Sequence, residues 1–192
     1  MHVETVIAGF GGQGILFLGR VLATAGMIGG YHVSWYPSYG PEMRGGTANC
    51  TVILSDQEIG STISDHPDIV VVTNQPALLR FGPLVKEEGL LVINSSLVRG
   101  TGHCPTVEVL NVPGNEIAGA MVGDPRTLNM VILGALVAHR PLVWEEDMRL
   151  ALEEILSGKK RELIEINFQA LDAGKKFIRE RRDAGVSERP NE

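Results

Sequence analysis

The chain has 192 residues, and its 23 acidic residues outnumber its 17 basic ones, which gives a formal net charge of −6 at pH 7. A chain of this length can bury a hydrophobic core without disulfides or structural metal. We expect one domain over residues 1–182 and a frayed tail over residues 183–192. An acidic chain does not attract phosphate backbones overall, so nucleic acid is not an expected partner.

Membrane spans and metal sites find little support in the sequence. The longest apolar segment, Ile15 to Ile28, contains Arg20 and is shorter than the roughly 20 residues that a membrane span requires. We therefore expect a cytoplasmic protein that does not bind membranes. Its two cysteines, Cys50 and Cys104, cannot supply the four thiolates of an ordinary iron-sulfur cluster, and its five histidines are scattered. No metal site is predicted in this chain.

The first half of the chain alternates short apolar runs with helical patterns. Val3 to Ala8 predicts a buried strand, Ile15 to Ile28 predicts a helix, and a short helix and a turn are expected at residues 75–89. Further strands are predicted in four runs: Tyr31 to Tyr36, Thr47 to Ser55, Asp68 to Thr73 and Leu90 to Asn94. This order predicts an α/β fold with a Rossmann-like open sheet, mostly parallel, and helices on both faces.

The second half is more helical. Asp124 followed by Pro125 predicts a helix start, and the segment from Leu128 to Ala138 is apolar on all sides, which indicates a buried helix. Residues 144–156 and 163–178 have apolar residues three and four apart. They predict two amphipathic C-terminal helices packed on the domain.

A glycine loop, Gly9-x-Gly11-x-x-Gly14, lies between the first predicted strand and helix. This spacing is typical of a dinucleotide-binding turn, which presents helix N-terminal amides to a phosphate. The acidic residue that normally binds the ribose is missing, because no Asp or Glu occurs between Ile15 and Pro41. We therefore expect the loop to receive an anion or a partner carbonyl, with help from the Gln13 amide. Alternatively, the glycines only allow tight strand-to-helix packing.

A second loop follows the second predicted strand. Tyr39-Gly40-Pro41-Glu42 predicts a rigid turn, and Arg44-Gly45-Gly46 places a guanidinium beside an accessible backbone. Arginine in this setting suits a phosphate or carboxylate, to which it donates two parallel hydrogen bonds. We expect both loops to face one crevice at the carboxyl edge of the sheet. The alternative is an internal ion pair of Arg44 with Glu42 or Asp56 that only stiffens the loop.

Four segments together resemble a known family: GFGGQGI, SYGPEMRGGTANCTVILSD, NMVILGALV and EINFQALDAGKKF. They are similar to the gamma subunit of the 2-oxoacid:ferredoxin oxidoreductases, most of all the 2-oxoglutarate type. The resemblance implies an enzyme that converts a 2-oxoacid, coenzyme A and oxidised ferredoxin into acyl-CoA, carbon dioxide and reduced ferredoxin. Its thiamine diphosphate, Mg²⁺ and iron-sulfur clusters are held mainly by other subunits.

The resemblance also implies roles for particular residues. The segment GDPRTLN is not the longer GDG…N motif that binds magnesium and thiamine diphosphate, because Pro125 replaces the second glycine. Asn129 in this segment is expected to serve architecture or an interface. No catalytic residue is expected in this chain, with Glu42 the only candidate. The expected residues for coenzyme A or interface binding are Gly9, Gly11, Gly12, Gln13, Gly14, Tyr39, Gly40, Pro41, Glu42, Arg44, Gly45, Gly46 and Asn129.

By this resemblance the chain binds no cofactor alone and is inactive alone. Its expected partners are alpha and beta subunits, a ferredoxin-like delta subunit in some assemblies, coenzyme A, and ferredoxin as electron acceptor. Two other functions stay open: a free-standing NAD(P)-dependent enzyme and a purely architectural subunit of the same complex. The smaller subunit of the indolepyruvate enzyme shares the glycine loop and is not separated by motif alone.

Overall fold

The computed structural model describes residues 1–39, 47–100, 106–158 and 161–184. The strands are β1 (His2–Phe10), β2 (His32–Tyr39), β3 (Thr47–Ser55), β4 (Ile69–Val72), β5 (Leu90–Asn94) and β6 (Glu108–Val112). The α-helices are α1 (Ile15–Ile28), α2 (Gln75–Phe81), α3 (Gly114–Ile117), α4 (Leu128–His139), α5 (Glu145–Ile155) and α6 (Arg161–Asp183). Over these ranges, no helix combines the length and the apolar character that crossing a membrane requires.

The six strands form one open sheet in the order β2-β3-β1-β4-β5-β6. The neighbours β1–β4, β4–β5 and β5–β6 are parallel, whereas β3 is antiparallel to both β1 and β2. The predicted mostly parallel α/β sheet is confirmed. Strand β6 was not predicted, because its sequence EVLNV is short and alternates polar with apolar residues.

The reversed strand β3 determines where the two predicted loops leave the sheet. Gly9 of β1 and Tyr39 of β2 both pair with Ala48, from opposite sides of β3. Strands β1 and β2 therefore run in the same direction and end at the same edge of the sheet. The first loop is described, whereas residues 40–46 lie outside the described ranges.

Helices cover both faces of the sheet, as predicted. Helices α1, α4, α5 and α6 contribute to the larger apolar cluster on one face. Helix α2 contributes Ala77 and Leu78 to a smaller cluster on the other face, against β1, β4 and β5.

Each of the two outer strands has one feature that limits further pairing. Strand β2 contains Pro37, and the Asn111 carbonyl of β6 accepts a hydrogen bond from Arg181 Nη1 at 3.2 Å.

Helix α4 is buried from Leu128 to Val137, which confirms the predicted buried helix. It crosses α6 with the two backbones in close contact. A Cβ atom on Gly134 would lie 2.1 Å from the Leu171 carbonyl oxygen, and one on Gly174 would lie 2.0 Å from the Val131 carbonyl oxygen. Because neither contact atom belongs to a flexible side chain, both positions require glycine.

An ion-pair network joins α5 to α6. The nearly buried Lys175 Nζ lies 2.8 Å from Glu145 Oε1 and 3.3 Å from Asp172 Oδ1. Asp172 also accepts a hydrogen bond from Arg149 Nη2 at 3.0 Å. Its hydrogen bond and its positive charge allow Lys175 to hold the pKa of the Glu145 carboxyl below its usual range. The buried ammonium is thus compensated by two carboxylates, one from each helix.

The close crossing of α4 and α6 predicts the cost of adding one methyl group. Gly134→Ala is expected to lower the free energy of unfolding by about 1–3 kcal/mol, because the helix backbones must move apart. Chemical denaturation of the purified chain measures the change. Gly119→Ala is the matched control, because a Cβ atom there meets nothing within 4 Å. Equal effects at the two positions would contradict the close crossing.

Candidate functional site

The glycine loop joins β1 to α1 at the carboxyl edge of the sheet. Gly12 and Gly14 have φ values of +98° and +72°, in the left-handed region that favours glycine. The backbone amide of Gln13 donates to the Phe10 carbonyl at 3.2 Å and closes the turn. Gly14 is the N-cap of α1, where no side chain caps the helix and the first turn carries no acidic residue. The first-turn amides of a helix lack intrahelical acceptors, so this end suits an anion.

The Gln13 side chain points into the protein. Its Oε1 accepts hydrogen bonds from the Phe10 amide at 2.7 Å and from Thr73 Oγ1 at 2.8 Å. Its Nε2 donates to the Thr73 carbonyl at 3.4 Å. The carboxamide thus connects the end of β1 to the residue that follows β4. Sequence analysis expected this amide to help the loop receive an anion or a partner carbonyl, whereas the contacts found here are all within the chain.

Asn129 joins the N-terminal end of α4 to the glycine loop. It is 4% exposed, and its Nδ2 donates to the Gly14 carbonyl oxygen at 3.1 Å. The same oxygen accepts the Leu18 amide at 2.9 Å, the first hydrogen bond of α1. A Cβ atom on Gly14 would lie 2.4 Å from Asn129 Nδ2, so the loop and the amide fit closely.

Thr73 and Asn74 also belong to the candidate site, and sequence analysis did not identify them. Thr73 is fully buried, and a Cβ atom on Gly9 would lie 2.0 Å from its Oγ1. Asn74 caps α2 by accepting the Ala77 amide at 2.8 Å. The signal was present in the sequence, because Thr and Asn directly follow the buried run IVVV and precede a proline. Polar residues in that position are typical of the carboxyl edge of a parallel strand.

The second predicted loop is only partly described. The backbone of Tyr39 ends β2 at the same edge as the glycine loop. Six other predicted site residues lie outside the described ranges: Gly40, Pro41, Glu42, Arg44, Gly45 and Gly46. The structure therefore brings the glycine loop, Asn129 and the end of β2 to one edge.

The helix start predicted at Asp124 and Pro125 is present, with a 3₁₀ turn before α4. The Asp124 carboxylate accepts the Arg126 amide at 2.9 Å and contacts the Arg126 guanidinium at 2.6 Å. This arginine lowers the pKa of the Asp124 carboxyl through a hydrogen bond. The Asp124 carboxylate thus uses both its hydrogen-bond acceptance and its charge on the neighbouring Arg126.

Metal and thiol chemistry have no support in the described ranges. Those ranges hold no group of three or more His, Cys, Asp or Glu side chains arranged to bind a metal ion. Cys50 is fully buried, and burial raises the pKa of its thiol to about 12. Such a thiol is not a nucleophile near neutral pH.

Comparison with known proteins identifies the family. The model of the pyruvate ferredoxin/flavodoxin oxidoreductase family matches residues 4–177. The chain belongs to this family. A solved structure, the gamma subunit of a keto/oxoacid ferredoxin oxidoreductase from Geobacter sulfurreducens, is similar with a TM-score of 0.76 and 28% identity, over 93% of this chain and 99% of that one. The family resemblance inferred from the motifs is confirmed.

Two relatives show how the chain's length compares within the family. The ketoisovalerate oxidoreductase subunit VorA of Methanothermobacter thermautotrophicus is 40% identical over 93% of this chain, which spans 37% of that relative. The 2-oxoglutarate synthase subunit KorC of Methanothermobacter marburgensis is 34% identical, over 94% of this chain and 98% of the relative. The chain thus spans little more than a third of VorA but nearly all of KorC.

The Asn129 contact predicts a specific effect of charge. Asn129→Asp is expected to lower the free energy of unfolding by about 2–3 kcal/mol, because a carboxylate then faces the Gly14 carbonyl without a donor. Asn115→Asp is the matched control, since Asn115 Oδ1 accepts a hydrogen bond from Asn94 Nδ2 and a carboxylate preserves it. Chemical denaturation at neutral pH compares the two. A larger loss at position 115 would contradict the assigned contact.

Proposed function

We propose that the chain is the gamma subunit of a thiamine diphosphate-dependent 2-oxoacid:ferredoxin oxidoreductase and helps to bind coenzyme A. The observation that carries this proposal is the family match over residues 4–177, together with the glycine loop held at the carboxyl edge of the sheet. The complete reaction is the conversion of a 2-oxoacid, coenzyme A and oxidised ferredoxin into acyl-CoA, carbon dioxide and reduced ferredoxin. Alpha and beta subunits are the proposed partners.

The residues of GDPRTLN do not fit magnesium or thiamine diphosphate. The Asp124 carboxylate is paired with Arg126, and the Asn129 amide is bonded to Gly14. Pro125 also lacks the amide that a glycine would offer at that position. These groups are committed to holding the loop and the start of α4. We therefore assign the thiamine chemistry and the iron-sulfur clusters to partner subunits.

The role proposed for this chain is to receive the anionic end of coenzyme A. The α1 N-terminus offers unpaired first-turn amides, and its first turn carries no carboxylate that would repel an anion. Arg44, in the segment that leaves the same edge after β2, supplies a positive charge suited to a phosphate. By fixing the acceptor, the chain orients the coenzyme A thiol toward the acyl group that forms on a neighbouring subunit. Positioning of this kind lowers a reaction barrier without a proton-transfer residue.

The substrate is proposed at the level of a 2-oxoacid. The motif resemblance favoured 2-oxoglutarate, and KorC is named for 2-oxoglutarate synthase. VorA, which is more similar in sequence, is named for ketoisovalerate. Similarity therefore supports the class of 2-oxoacids, and 2-oxoglutarate is one proposed member of it.

The topology argues against a nicotinamide dinucleotide site. In a Rossmann domain the acidic residue that binds the ribose ends the strand next to the glycine-loop strand. Here β3 lies between β1 and β2, so the end of β2 is two strand spacings away, or about 10 Å. The sequence also lacks the acidic residue there. A purely architectural role in the same complex is the competing proposal.

The assembly proposal predicts which proteins accompany the chain. We expect a C-terminally tagged chain, purified anaerobically from its source cells, to carry larger subunits that contain thiamine diphosphate and iron-sulfur clusters. Native mass spectrometry identifies the subunits and their cofactors. Recovery of the chain alone, or with a bound nicotinamide nucleotide, would refute the assignment.

The binding proposal predicts the effect of removing one charge. In the assembled enzyme, Arg44→Ala is expected to raise the KM for coenzyme A about tenfold or more, because a charge-assisted hydrogen bond to phosphate is lost. The KM for the 2-oxoacid should change little. Arg20→Ala removes the same charge from an exposed position on α1 and serves as the matched control. An unchanged KM for coenzyme A in Arg44→Ala would favour the purely architectural role.

A further inference from the structure

We infer that Gln13, held in place by Thr73, positions the glycine loop rather than contacting the bound ligand. This inference rests on the proposed function, in which the glycine loop receives the anionic end of coenzyme A. Gln13 and Thr73 would fix the direction of the loop amides without touching coenzyme A. We call the hydrogen-bonded group of Gln13, Thr73 and Asn74 the carboxamide clamp.

The hydrogen bonds fix the orientation of the Gln13 carboxamide. Its oxygen faces three donors: the Phe10 amide at 2.7 Å, Thr73 Oγ1 at 2.8 Å and Asn74 Nδ2 at 3.4 Å. Its nitrogen faces one acceptor, the Thr73 carbonyl at 3.4 Å. A flipped carboxamide would place its own donors against the Phe10 amide and the Asn74 amide. Only one orientation therefore satisfies the surrounding groups.

The Thr73 hydroxyl has a particular part in the clamp. Its proton has two acceptors in range, Gln13 Oε1 at 2.8 Å and the Ala8 carbonyl at 3.4 Å. The shorter distance favours donation to Gln13. Because Thr73 is fully buried, water cannot replace this hydroxyl when it is removed. The hydroxyl thus holds the Gln13 side chain from the β4 side.

The clamp also connects the entrances of two helices. Asn74 uses its nitrogen to contact Gln13 and its oxygen to cap α2 through the Ala77 amide at 2.8 Å. Gln13 immediately precedes Gly14, the N-cap of α1. The start of α1 and the start of α2 are therefore connected through the contact between the Gln13 and Asn74 side chains. These two helix starts flank the glycine loop at the carboxyl edge.

Loss of the clamp should weaken ligand binding without removing any group that contacts the ligand. A loop that is free to sample several conformations presents its amides correctly for only part of the time, and the apparent affinity falls by that fraction. Only the apparent affinity for coenzyme A should fall, because the 2-oxoacid reacts at the thiamine on another subunit. A general loss of stability would not have this selectivity.

The test compares Thr73→Val with Thr73→Ser in the assembled enzyme. Valine removes the hydroxyl at nearly constant volume, whereas serine keeps it. Thr73→Val is expected to raise the KM for coenzyme A about threefold to tenfold, with the KM for the 2-oxoacid unchanged. Thr73→Ser is expected to stay close to the wild type. Hydrogen exchange of residues 9–17, with and without coenzyme A, should show faster exchange and weaker protection in Thr73→Val.

A matched pair of glutamines controls for the loss of a carboxamide. Gln75 Oε1 accepts the amide of Arg99, a residue outside both the glycine loop and the clamp, at 2.9 Å. Gln13→Leu is expected to raise the KM for coenzyme A as Thr73→Val does, and Gln75→Leu is expected to leave it unchanged. Equal rises in the two variants would refute a role specific to the clamp.

The outcomes separate the inference from the proposed function. If coenzyme A fails to protect the loop in the wild-type enzyme, the proposed binding role is wrong and the inference falls with it. If coenzyme A protects the wild-type loop and Thr73→Val retains both protection and KM, only the positioning role is refuted. A lower Tm in Thr73→Val with unchanged kinetics also refutes it, because the clamp would then be structural only.

Discussion

The chain that enters α1 runs against two neighbours that leave no space for a side chain. Gly9 lies against the Thr73 hydroxyl, and Gly14 lies against the Asn129 amide. These contacts come from β4 on one side and from α4 on the other. The loop, the strand next to it and the buried helix are therefore positioned by the same close approach. Larger residues at either glycine would displace elements that the core otherwise holds rigidly.

This constraint explains why the glycine spacing resembles a dinucleotide turn without the rest of that site. Two side-chain amides, Gln13 and Asn129, hold the loop from inside the protein. The strand order then separates β2 from β1 by the reversed β3. In the proposed role, a ligand at this edge meets the backbone amides of the loop, and a partner subunit completes its site.

Local patterns predicted the elements whose sequence is unambiguous. Helix α1 begins at Ile15 and ends at Ile28, as expected, because glycines flank a mostly apolar helical segment. Helix α4 was identified by the same reasoning. Helix α6 extends to Asp183, beyond the predicted Ile178, because its charged final turns carry no apolar signal. Strand β6 and the reversal of β3 were not predicted, since strand direction depends on pairing between distant segments.

The candidate site shows the same division. Gly9, Gly11 and Gly14 were identified from spacing, and Gly12 and Asn129 were identified through the family resemblance. The inward orientation of Gln13 was not predictable, because Thr73 and Asn74, two of its partners, are about 60 residues away in the chain. Thr73 and Asn74 were overlooked although their place directly after the buried run IVVV was a signal, whereas their contacts with Gln13 could not be read from the sequence. Spacing reveals which backbone is unusual, whereas the side chains that hold it are determined by tertiary contacts.

Both outermost strands carry a local obstacle to further pairing. Pro37 in β2 has no amide hydrogen, and the Asn111 carbonyl of β6 is already engaged by Arg181. A second copy that approaches either edge cannot extend the sheet through an uninterrupted row of hydrogen bonds. Both features therefore disfavour aggregation of copies of this domain through its sheet edges.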